Sequence, residues 1–147
     1  MKDHSEQHVE LSVELEYDPT KRDDCNALVI NKGKHHVSFH KLANPDDRHT
    51  ITWTLTGNAS DGEFCELDEK DHPGFTWLVR TPDQRIFHRL ERVLKNKLTI
   101  HNHHLDESSE GLWHYQLFAR VGGKLYGVPL TFTAGGANSP NPSIKNN

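Results

Sequence analysis

Several things that would announce a function are scarce in this chain. Its 147 residues include only two cysteines, Cys25 and Cys65. Two thiols do not make a disulfide scaffold. Without an export signal they are expected to stay reduced and to pack as small apolar side chains. The opening, MKDHSEQHVEL, has no apolar run of the kind a signal peptide needs. No stretch approaches the ~20 apolar residues of a membrane-spanning helix. These absences lead to the expectation of a cytoplasmic protein with no membrane partner.

Charge of one sign is also lacking. Seventeen Lys and Arg face 21 Asp and Glu, for a net charge of −4. No basic stripe stands out, so a phosphate-backbone footprint is missing and nucleic acid is not an expected partner. Apolar residues make up only 33%, which implies a small core and much polar loop. Catalytic signatures are missing too. There is no Gly-x-Ser-x-Gly elbow, no His-Glu-x-x-His, no Cys-x-x-Cys and no Gly-Lys-Ser/Thr phosphate loop. The chain is therefore expected not to be an enzyme and to need no catalytic or cofactor-binding residue.

Alternation is abundant. From Gly111 the chain reads GLWHYQLFARVGGKLYGVPLTF. Trp113, Tyr115, Leu117, Ala119 and Val121 recur with a period of two, the signature of a strand with one buried face. Gly122-Gly123 suits a tight hairpin turn, and Leu125 to Phe132 supply a returning strand. His8 to Tyr17 alternates as cleanly, with Val9, Leu11, Val13 and Leu15 opposite three glutamates. Further strands are expected over Ala27–Ile30, His36–Leu42, Thr50–Thr56, Glu63–Leu67, Phe75–Val79 and Lys97–Ile100. Trp53, Trp77 and Trp113 fall on inward-facing positions.

Turn signals between these runs point to an antiparallel β-sandwich of about seven to nine strands. It forms one domain over residues 1–134, followed by a Gly/Asn/Pro-rich tail over 135–147 that is either docked or disordered. Thr81 to Lys95 reads differently. Thr81 suits a helix N-cap, Pro82 the first turn, and Ile86, Leu90, Val93 and Leu94 share one helical face. Local signals thus favour a short helix near residues 82–95. A regular strand there would turn Arg89 and Glu91 to the same side as Phe87 and Val93.

Leu98 to Val121 has the form of the last strands of an immunoglobulin-like sandwich. Trp113 stands where such domains place the tyrosine of the tyrosine corner, and Tyr115 stands at the second cysteine position. The opening VELEYDP and the closing Asn141-Pro142-Ser143-Ile144-Lys145-Asn146 resemble the DP-EP family of small bacterial proteins. That resemblance implies an immunoglobulin-like β-sandwich with strands in place of the helix. It brings no activity and no site residues.

Twelve histidines are the remaining distinctive feature. In an extended chain His101 and His103 of His101-Asn102-His103-His104 point to one side, about 6.5–7 Å apart. Such a pair binds Zn, Ni or Cu if another element adds a ligand. His114 is the first candidate, then Asp106 or Glu107. Cys65 has no neighbouring cation in sequence to lower its pKa and reads as a structural residue. The expected function is an interaction or accessory domain that binds a protein partner or forms a homodimer through a sheet edge or face. A histidine-rich metal-binding protein is the alternative, and a carbohydrate-binding sandwich with an exposed tryptophan is a further one.

Overall fold

The computed structural model describes residues 5–16, 27–130 and 141–147. Expectations for Tyr17, for Cys25 and its pairing, for Phe132 and for most of the tail lie outside these residues. The described residues form eleven strands: β1 (His8–Glu16), β2 (Ala27–Ile30), β3 (Val37–Phe39), β4 (His49–Leu55), β5 (Glu63–Phe64), β6 (Phe75–Leu78), β7 (Phe87–Leu94), β8 (Lys97–Asn102), β9 (Gly111–Val121), β10 (Lys124–Gly127) and β11 (Ser143–Asn146). The fold is an all-β sandwich, as the alternation predicts.

One sheet has the order β2-β1-β4-β8-β7. The other is built on β9, whose 11 residues pair with β11 at Gly111–His114, with β6 at His114–Leu117 and with both β10 and β5 at the far end, while β3 extends the sheet beyond β11. Most pairs are antiparallel, but β1 runs parallel to β4 and β11 parallel to β3. Both parallel pairs join chain segments distant in sequence, so local alternation carries no sign of them.

Alternation decides the core. β4 turns Ile51, Trp53 and Leu55 inward and Thr50, Thr52 and Thr54 outward, and β9 buries Trp113, Tyr115, Leu117 and Ala119. Trp53 Nε1 donates to Tyr115 Oη across the sandwich at 3.0 Å. The two rings meet edge-on with centroids 5.2 Å apart, and Phe75 stacks on Tyr115. Burial pushes the Tyr115 hydroxyl well above the usual phenol range. Tyr115 is thus bonded across the core to the opposing tryptophan.

The turn after β9 uses Gly122 and Gly123 at φ 60° and 81°, a conformation that favours glycine. β10 is shorter than the expected returning strand: Val128, Pro129 and Leu130 leave the ladder, as a residue without an N–H would dictate. Ser143–Asn146, read from composition as part of a tail, is a strand docked between β9 and β3. Ile144 is fully buried there, and Asn146 and Asn102 exchange amide hydrogen bonds of 2.7 and 3.1 Å.

Two expectations are corrected. The helix over 82–95 does not form. Its capping signal yields a single turn in which the Ile86 and Phe87 amides donate to the Asp83 carbonyl. Phe87–Leu94 instead pairs with β8, because β8 has an open edge whose backbone groups need partners. The pairing register shifts between His88 and Glu91, where Arg89 has φ 55°. This bulge resolves the parity conflict: Phe87 and Leu90 pack against the core while Arg89 and Glu91 are exposed. The second correction concerns Val79. It does not share the face of Phe75 and Trp77; at φ 68° it leaves the strand and is 98% exposed.

Candidate functional site

The outer face of the five-stranded sheet is polar and follows from the same alternation. β8 buries Leu98, Ile100 and Asn102, so Lys97, Thr99 and His101 face outward. Register sets His101 beside Thr50 of β4 on one side and His88 of β7 on the other. His8 of β1 pairs with Thr50 and completes a row across four strands.

Three imidazoles gather at the β7 end of this row. The His88 ring lies 5.9 Å from that of His101 and 6.1 Å from that of His103, both nearly edge-on. Arg48 Nε donates to His88 Nε2 at 3.3 Å, and its Nη1 donates to the carbonyls of Pro45 and Asp47. His103 Nε2 donates to the Pro45 carbonyl at 2.8 Å. Burial lowers the pKa of His88, and Arg48 and the other two histidines lower it further. Burial also lowers that of His101, followed by Arg89 and Arg48, with Glu91 and Glu6 opposing. Both rings are therefore neutral near pH 7.

The structure brings His101 and His103 together with His88, not with His114. His114 lies on β9, in the other sheet, opposite Leu78 and Ser143. Asp106 shares a small cleft of about 170 Å³ with His103 and Arg85, but its carboxylate caps the turn after β8, accepting from the Ser108 amide at 2.9 Å. His88 was hidden from the sequence by the helical reading of its segment. Among the described residues, no three His, Cys, Asp or Glu side chains are arranged to hold a metal ion. One ring nitrogen of His88 accepts from Arg48, and one of His103 donates to the Pro45 carbonyl.

A cleft of about 420 Å³ adjoins this cluster at the mouth between β6 and β7. Phe87, Leu90 and Ile100 form its apolar floor, with half-buried Trp77 beside them. Trp77 packs on Phe87 with ring centroids 5.0 Å apart. Thr81, Pro82, Gln84, His88 and Arg89 complete its lining. Arg80, at the start of the same loop, donates to the Leu112 carbonyl at 2.8 Å and lies over the Trp113 ring at 5.0 Å.

Backbone strain collects here. Four non-glycine described residues have positive φ: Asn31, Lys32, Val79 and Arg89. The first two make a turn after β2. Arg89 lines the cleft, and Val79 opens the loop that closes it. A β-branched residue in this region is a genuine outlier, and such strain of roughly 1–3 kcal/mol concentrates at functional sites.

Other pairs that look chemical are structural. Ser109 Oγ lies 2.7 Å from His104 Nδ1, but both residues are buried and Ser109 Oγ also accepts from the Leu105 and Asp106 amides. Cys65 does have a cation beside it, contrary to the sequence reading: Arg120 Nη1 lies 3.2 Å from Sγ. Burial nevertheless pushes the thiol up, and the guanidinium is held in a bidentate pair by Glu69. No protein-family model matches the chain, and no curated protein matches it.

Proposed function

We propose that this chain is a non-enzymatic binding domain whose ligand enters the mouth between β6 and β7. The observation that carries this reading is the 420 Å³ cleft with an aromatic floor and a strained residue on its rim. Its size lies in the range of small-ligand sites, which combine apolar walls with a few placed polar groups. Strand-edge pairing with a second copy is less well supported. β7 is an edge but carries a bulge and exposed Arg89 and Glu91, while β2 and β3 are only four and three residues long. Bulges, charges and short strands are what block edge-to-edge association.

The test uses the neutral fluorescent probe N-phenyl-1-naphthylamine. Saturable one-to-one binding is expected, and Leu90→Trp, which fills the cleft, should abolish it while leaving the thermal unfolding midpoint within a few degrees. Absence of saturable binding, or binding indifferent to Leu90→Trp, overturns the reading.

A second reading rests on the three clustered imidazoles. His88, His101 and His103 would hold Zn, Ni or Cu once His88 leaves Arg48 and His103 leaves Pro45. Elemental analysis of tag-free protein purified without chelator tests it. One equivalent of metal, lost in His101→Ala, supports this reading, and its absence removes it.

A further inference from the structure

We propose that the cleft takes a small amphipathic anion, with an aromatic or aliphatic body on Phe87, Leu90 and Trp77 and an anionic group against Arg89 and His88. This inference rests on the binding reading above and names the ligand class of the same site.

The first support is the placement of four consecutive residues. In a regular strand, neighbouring side chains point to opposite faces. Phe87, His88, Arg89 and Leu90 nevertheless all line one cleft. The bulge at Arg89 makes this arrangement, since its φ of 55° breaks the alternation between two apolar and two basic side chains. The cleft thereby acquires an apolar floor, one cation in Arg89 and one neutral imidazole in His88 from one short segment. Bulges beside binding sites re-aim side chains in this way.

The second support is charge. The chain has 21 acidic residues and a net charge of −4, yet no Asp or Glu lines this cleft. Three other arginines are matched by carboxylates, Arg85 with Asp83, Arg92 with Glu66 and Arg120 with Glu69, while Arg48 and Arg80 donate to backbone carbonyls. Arg89 has no hydrogen-bond or ion-pair partner among the described residues, and Arg48 stands behind His88. An arginine without a carboxylate partner, on a cleft lined by no acidic residue, favours an anion by charge complementarity.

Two probes that share an aromatic body and differ by a sulfonate test the proposal on the full chain. 8-Anilinonaphthalene-1-sulfonate is expected to bind about tenfold more tightly than N-phenyl-1-naphthylamine at low salt, the effect of one charged contact. Arg89→Gln should erase that preference with near-ultraviolet dichroism preserved. Equal binding of both probes, or a preference that survives Arg89→Gln, overturns the anion assignment and leaves the binding reading standing. Failure of both probes to bind, or binding of either unaffected by Leu90→Trp with near-ultraviolet dichroism preserved, overturns the binding reading itself. Displacement of the sulfonate probe by decanoate supports a free small molecule. Displacement only by phosphatidylglycerol vesicles shows a lipid surface and overturns the small-ligand assignment.

Discussion

β9 and β7 belong to opposite sheets and behave oppositely. β9 keeps a strict period of two over Trp113, Tyr115, Leu117 and Ala119, buries all four and pairs with four strands. β7 pairs with one strand, breaks register and leaves Val93 and Leu94 exposed. The difference is one of neighbours. A central strand is held on both edges, so its side chains are committed to one pattern. An edge strand is held on one, and its spare conformational freedom can be used to shape a cleft. Stability is thus expected to reside at β9 and binding at β7.

Truncating the contact between Trp53 and Tyr115 probes the stable side and should give the largest effect. Trp53→Ala removes a fully buried ring and strands the Tyr115 hydroxyl, so unfolding free energy should fall by about 3–5 kcal/mol. Leu90→Ala on β7 should lose about 1 kcal/mol, since its side chain is only half-buried. Urea unfolding of the two variants decides, and similar losses would dissolve the contrast.

Acid should act next, and away from β7. His49 is fully buried, with Nδ1 accepting from the Gln7 amide and Nε2 donating to the His40 carbonyl. Burial lowers its pKa to about 4, against the weaker raising effect of that carbonyl. Below pH 6.5 the unfolded chain takes up a proton that the folded chain refuses until about pH 4. Stability is therefore complete above pH 6.5 and falls as pH drops, by about 2 kcal/mol between pH 7 and 5. His104, also lowered by burial, adds to the loss with the same sign. Urea midpoints at the two pH values measure it. If His49→Gln shows the same loss as the parent, His49 is not the source.

The smallest effect should be a gain. Val79 makes no packing contribution at 98% exposure and sits at φ 68°. Val79→Gly releases roughly 1–3 kcal/mol of strain against ~1 kcal/mol of added chain entropy, for a net gain of about 1 kcal/mol. A more stable variant with weakened probe binding would tie the strain to the cleft. A destabilised variant would show that the conformation is not strained.

The legibility of the chain follows the same divide. The hairpin of β9 and β10, the β1 alternation and the inward tryptophans Trp53 and Trp113 were open to reading because each depends on neighbours two residues away. His101 and His103 were legible as a pair for that reason. Their real companion, His88, was not, because Thr81-Pro82 and the spacing of Ile86, Leu90 and Val93 favour a helix locally. The Arg120–Cys65 contact bridges 55 residues and left no local trace.

By itself the sequence determined an all-β sandwich and which faces of most strands are buried, since side-chain alternation is a property of the extended backbone. Only the tertiary structure decided that Ser143–Asn146 is a strand, that Phe87–Leu94 is not a helix, and that a bulge gathers His88 and Arg89 beside an apolar floor. These outcomes depend on open sheet edges that must find backbone partners, and the partners come from segments far along the chain.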